Sequence, residues 1–142
     1  MATNLVFKGD NKQNRTETLA ATYAPGVPVL SLSGQPAVTV TGSGDYVKSE
    51  VIPGGGTISG IPAGGVGLTG KQVTLAFSGT WEFPASSITG ITAASAQGTK
   101  VYITSGGQLT GTATSNTLYG TVDFPVDYDK TRGFVPVKIG NR

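Results

Sequence analysis

From Val27 onward the chain is written in short alternating runs that glycine and proline interrupt every few residues. "VPVLSLSG" and "PAVTVTG" set Val27, Val29, Leu30 or Leu32, Val38 and Val40 on one face and Ser or Thr on the other, the period-two pattern of half-buried strands. "DYVKSEVI" continues in the same style. "KQVTLAFSGTWEF" points Val73, Leu75 and Phe77 inward, breaks at Ser78 and Gly79, and resumes through Trp81 and Phe83. In the second half Val101 and Ile103 alternate with Tyr102 and Thr104, and Val135, Val137 and Ile139 make a last strand. Pro136 interrupts that strand; with no N–H to give a ladder, it predicts a sheet edge or an unpaired N–H side there. Glycine fills 22 of 142 positions, about twice the usual ~7%, and "PGGGTISGIPAGGVGLTG" reads as turns, bulges or an ordered surface loop. No segment has the pattern of an amphipathic helix, and "SSITGITAASAQ" has room for one short turn. The pattern predicts an all-β fold, a small antiparallel β-sandwich or barrel of short strands.

A chain of 142 residues is the size of one domain, long enough to bury roughly two-thirds of its unfolded surface without staples. The composition changes near its start. Residues 1–22 are polar and charge-dense and read as an N-terminal arm, and residues 23–142 read as the β-domain. The arm carries one apolar cluster, Leu5, Val6 and Phe7, beside the cations Lys8, Lys12 and Arg15. It has no continuous apolar segment of a signal peptide, and no apolar run in the chain approaches the ~20 residues that span a bilayer. The expectation is a soluble chain with no membrane partner.

Several chemistries are excluded by what the chain lacks. It has no cysteine and no histidine, which removes disulfides, thiolate metal sites and the commonest general base. A net charge of +2 with 13% charged residues offers no basic stripe for phosphate neutralisation, so no nucleic-acid partner is expected. "GGVGLTGKQ" satisfies G-x-G-x-x-G through Gly65, Gly67 and Gly70, and all but the last position of G-x-x-x-x-G-K-[ST], which Gln72 occupies. Both motifs need a helix leaving the loop so that its first amides meet the phosphates. Here the next residues are β-patterned, so no nucleotide cofactor is expected. Asp123, Asp127 and Asp129 could touch a cation, yet they lack the loop spacing and closing Glu of a calcium site and read as a solvated turn. Asp45, Glu50 and Glu82 stand singly, with no paired-carboxylate or nucleophile-elbow arrangement, so the chain is read as no enzyme. Trp81 with Phe77 and Phe83 offers either a core aromatic or a platform for sugar. From Val51 to Val122 the only charges are Lys71, Glu82 and Lys100, a scarcity that fits a surface covered by other subunits.

"VTLAFSGTWEFP", "GTKVYITSGGQLTGT", "NTLYGTVDF" and the closing "GFVPVKIGN", in this order and spacing, resemble the small capsid decoration (cement) proteins of tailed bacteriophages over roughly residues 66–140. The resemblance implies a non-enzymatic structural protein without cofactors. Such a protein sits on the outer surface of the virion head, where homotrimers bind the major capsid protein and bridge its neighbouring subunits. In that setting the arm is the capsid-contact candidate, through Leu5, Val6, Phe7, Lys8, Lys12 and Arg15. Two other readings are a different phage structural β-domain, of a tail tube or spike, and a carbohydrate-binding module.

Overall fold

The computed structural model describes residues 5–7, as backbone, and residues 14–140. It is all-β, with two short 3-10 turns, Ala85–Ser87 and Lys130–Arg132. A seven-stranded sheet, curled into a half-barrel, has the order β1-β8-β13-β12-β10-β11-β9. Its strands are β1 (Leu5–Phe7), β8 (Thr80–Pro84), β9 (Ile88–Thr89), β10 (Lys100–Ile103), β11 (Leu109–Thr110), β12 (Thr117–Val122) and β13 (Phe134–Ile139). A four-stranded sheet has the order β2-β7-β4-β3, from β2 (Arg15–Thr18), β3 (Pro28–Leu30), β4 (Pro36–Thr39) and β7 (Gln72–Ala76). The last two strands, β5 (Val47–Val51) and β6 (Thr57–Pro62), pair only with each other among the described residues. Every ladder is antiparallel except β11 beside β9.

The alternation of the sequence becomes the main core. Trp81, Phe83, Val101, Ile103, Val135, Val137 and Ile139 are buried on the inner face of the large sheet. They meet Val38 and Ala76 of the small sheet, with Leu30 and Val40 at the margin. Tyr119 fastens the two layers. It is the extra residue of β12 where the register against β10 shifts between Val101 and Tyr102, and such a bulge re-aims a side chain. Its fully buried hydroxyl donates to the Ala37 carbonyl of β4 at 2.7 Å. The small sheet is apolar on its other face too, where Val29, Ala37, Val73 and Leu75 bury Leu19 and take Tyr23, Val27 and Phe77 as partial cover.

Of the two expectations for Pro136 the unpaired N–H side holds and the sheet edge does not, and one strand departs from the half-buried pattern. Pro136 is in the interior of the large sheet, between β8 and β12. Its tolerance there is local: the β12 ladder ends at Val122 opposite Val137, and the Pro136 carbonyl accepts from the Asp123 N–H at 3.0 Å with no return bond required. The alternation in "DYVKSEVI" does form a strand, β5, but all five of its residues are exposed. Among the described residues no sheet layer covers that hairpin, and only Ile61 of β6 is half-buried.

Candidate functional site

The β5–β6 hairpin is the part of the molecule most unlike a folded core. Among the described residues seven large apolar side chains are exposed, and four of them, Val47, Val51, Ile52 and Ile58, are on this hairpin. Its register pairs Val47 with Pro62, Lys48 with Ile61, Glu50 with Ile58 and Val51 with Thr57. Cross-strand partners share a face, so Lys48, Glu50, Ile58 and Ile61 lie on one side and Val47, Val51, Thr57 and Pro62 on the other. Between Lys48 and Glu50 the register shifts, with Ser59 and Gly60 opposite Ser49. Gly60 adopts φ +69°, a left-handed conformation that glycine enters at no steric cost. At the tip the Ile52 N–H donates to the Gly56 carbonyl and the Gly55 N–H to the Ile52 carbonyl. The only charges on the hairpin cancel, since Lys48 Nζ lies 2.8 Å from Glu50 Oε1.

The glycine motif of the sequence anchors this hairpin. Residues 41–46 lead into β5 and residues 63–71 lead out of β6, and the two segments touch backbone to backbone. A Cβ on Gly44 would lie 2.5 Å from the Thr69 carbonyl carbon, and one on Gly64 would lie 2.3 Å from the Ser43 oxygen, so neither position admits a side chain without displacement. The Gly65 N–H donates to the Gly42 carbonyl at 3.0 Å, Ala63 to Tyr46 at 2.9 Å, Asp45 to Gly70 at 2.8 Å and Gly44 to Gln72 at 3.0 Å. In a phosphate loop these amides would point at the ligand. Here the Gly65 and Leu68 amides are satisfied by the protein, Gln72 begins β7, and the loop feeds a strand. The double motif match is a clasp that fixes the direction of the hairpin.

The family model described as phage cement protein matches residues 32–139. The chain belongs to the phage cement protein family. No curated protein and no solved structure is a match to it. The matched span begins well before residue 66, where the similarity read from the sequence starts, and it runs through the clasp and the hairpin of this cement protein. β1, β2 and β3 precede it.

The arm residues of the cement protein are divided among different places. Leu5, Val6 and Phe7 form β1, whose backbone pairs with β8 at the rim of the large sheet. Lys8 and Lys12 lie outside the described residues. Arg15 is in β2, at the rim of the small sheet, with Nε 2.9 Å from Glu17 Oε2 and the guanidinium carbon 4.6 Å from the centre of the Phe77 ring. β1 and β2 therefore belong to different sheets, and neither is a neighbour of the hairpin.

Trp81 is no sugar platform. It is buried in the main core, and its indole N–H donates to the Ser78 carbonyl at 2.9 Å. The three aspartates have separate tasks: Asp123 accepts from Thr80 and Gln97, Asp129 caps the turn at Thr131, and Asp127 sits in a left-handed turn position. Glu82 on β8 gathers the connection between β12 and β13, accepting from the Tyr128 hydroxyl at 2.6 Å and from Arg132. Burial pushes the Tyr128 phenol up to about 12, assisted by its bond to the Glu82 carboxylate. For Glu82, burial acts upward, but the hydrogen bonds from Arg132 and Tyr128 and the Arg132 charge outweigh it and hold the carboxyl below its ordinary value. This cluster pins a loop to a strand.

The sequence does carry a signal for the hairpin: "DYVKSEVIPGGGTISGIP" has apolar residues on both sides of a Pro-Gly-Gly-Gly turn. Glycine at Gly60 and the density of glycine after Pro62 mask the second strand, and nothing in the alternation tells a covered strand from a projecting one.

Proposed function

We propose that this protein is a capsid decoration protein that binds the outer surface of a phage head as a homotrimer and stabilises the shell by bridging major capsid subunits. Membership in the cement protein family is the observation that carries the reading. The molecule suits a purely structural task. Its ionisable side chains in the described cluster pin a loop, its tryptophan is core, and its exposed apolar residues are concentrated on one fixed projection. Attachment without chemistry requires contact area, and the exposed apolar side chains of the hairpin offer it.

In this reading the N-terminal segment contacts the shell through Leu5, Val6, Phe7, Lys8, Lys12 and Arg15. A short apolar anchor beside cations suits an acidic capsid surface, and repetition over three arms multiplies a weak contact. Removing residues 2–13 while keeping β2 tests it. The expected outcome is a folded protein that no longer occupies undecorated heads in a cryo-electron reconstruction. Wild-type occupancy by the truncated protein would move the contact to the β-body. Absence of the full-length protein from heads altogether would overturn the decoration reading itself.

A further inference from the structure

We propose that the β5–β6 hairpin is the element by which one copy of this chain docks on another, laying its apolar side chains on the charge-poor surface of that second copy. The proposal rests on the homotrimer reading and names the element that makes the trimer.

An isolated two-stranded hairpin is marginal in water, and one that exposes Val47, Val51, Ile52 and Ile58 leaves apolar surface on both faces. The backbone clasp through Gly44 and Gly64 nevertheless holds this one in a fixed direction. A projection with a fixed base and an uncovered apolar body is preorganised for docking, because little ordering entropy remains to be lost on contact.

The chemistry of the hairpin selects its occupant. Lys48 and Glu50 neutralise each other, and residues 51–62 carry no charge. An acidic or basic partner would find nothing to pair with. A neutral, hydroxyl-rich and apolar surface fits, and the exposed residues around β9 and β11, among them Ser86, Ser87, Thr89, Thr112 and Thr114, are of that kind. Between Val51 and Val122 the only charges are Lys71, Glu82 and Lys100, and Glu82 is already engaged by Arg132 and Tyr128. Interface cores are depleted in charge in this way. The contact is made by the hairpin faces rather than by added strands, since the bulge at Gly60 and the proline at Pro62 blunt the β6 edge. A hairpin seated on the body of the next copy is a head-to-tail contact, which closes into a ring when the rotation allows.

Light scattering across a dilution series compares the full-length wild type with the double variant Val51→Asp, Ile58→Asp. The wild type is expected to run as a trimer and the variant as a monomer, each substitution weakening association by roughly 30-fold, the loss of one interface anchor. Both residues lie outside the two cores, so the near-ultraviolet signature of Trp81 and the melting temperature of the monomer should be retained. Because the chain has no cysteine, an environment-sensitive dye on Val51→Cys reports the same contact directly, shielded in the oligomer and exposed on dilution. A wild type that is monomeric at every concentration overturns the proposal, as does a double variant that stays trimeric or a dye exposed within the trimer. A variant that remains trimeric and loses only head binding also overturns it and assigns the hairpin to the shell. Head binding by the wild type is scored separately: a monomer that decorates heads sinks the hairpin docking and the homotrimer together and leaves decoration standing, and a trimer that does not bind heads sinks decoration alone.

Discussion

Tyr119 and Val51 both belong to antiparallel ladders built from similar residues, yet one is fully buried between two sheets and the other is 79% exposed on a hairpin that, among the described residues, pairs with no other strand. The two-layered body follows the ordinary logic of a β-sandwich, in which alternation places one face of each strand on a core. The hairpin keeps the alternation and discards the core. A strand pattern therefore states that a segment will pair and is silent about what lies over its faces. In the body the cover comes from the same chain; on the hairpin the described residues supply almost none.

The contrast can be broken most forcefully in the body. Leu75→Ala removes a fully buried side chain from the second core and should cost about 2–5 kcal/mol, a drop in melting temperature on the order of 10 °C, read by thermal denaturation. Tyr119→Phe keeps the ring and deletes the bond to Ala37, whose carbonyl stays opposite Val29 in the β3–β4 ladder, so the expected loss in denaturant titration is that of one hydrogen bond, about 0.5–1.5 kcal/mol. A change confined to the clasp should separate the two regions. Gly64→Ala places a methyl against the Ser43 and Gly44 carbonyl oxygens, and hydrogen exchange should quicken at the hairpin amides while those of β8 and β13 keep their protection.

A smaller effect is tied to pH. The Glu82 carboxyl titrates lower in the folded protein than its ordinary 4.5, so its contribution is complete above that value and is lost as pH falls through the folded pKa. Tyr128 titrates higher than its ordinary 10.0, so its contribution is complete below 10.0 and is lost as pH rises through about 12. The loop between β12 and β13 should therefore loosen at both extremes and stay pinned between them, visible in the Tyr128 ring resonances; insensitivity to Glu82→Gln would show that the pin is immaterial. The least effect is expected from Val51→Ala, within about 0.5 kcal/mol on the unassociated chain, because its side chain has no intramolecular cover to lose.

Most of the body was legible because burial leaves a period in the sequence. Val73, Leu75, Trp81, Phe83, Val101, Ile103, Val135, Val137 and Ile139 are inside, as their spacing predicts. For Pro136 the sequence left an edge and an unpaired N–H side open, because the end of a neighbouring ladder, which frees its nitrogen, is a tertiary fact. β6 was hidden for a local reason: its bulge glycine and the clasp glycines look like loop, though they serve close backbone approach. The candidate contact surface was the least legible part. Its defining property is the missing second layer, and a missing layer leaves no period. Resemblance supplied the family where pattern supplied only the class.

The position of β8 has a kinetic consequence. On one side it pairs with β1 and on the other with β13, so Trp81 stands between Leu5 and Val137, residues from opposite ends of the described chain. The large sheet cannot close during synthesis until β13 has left the ribosome, whereas the hairpin, whose pairing is local, can form as soon as it emerges. Long-range pairings of this kind place folding in the slow range of small domains, milliseconds to seconds. Copies made close together have time to meet through unfinished edges, which makes the rate of sheet closure a determinant of how much assembly is correct.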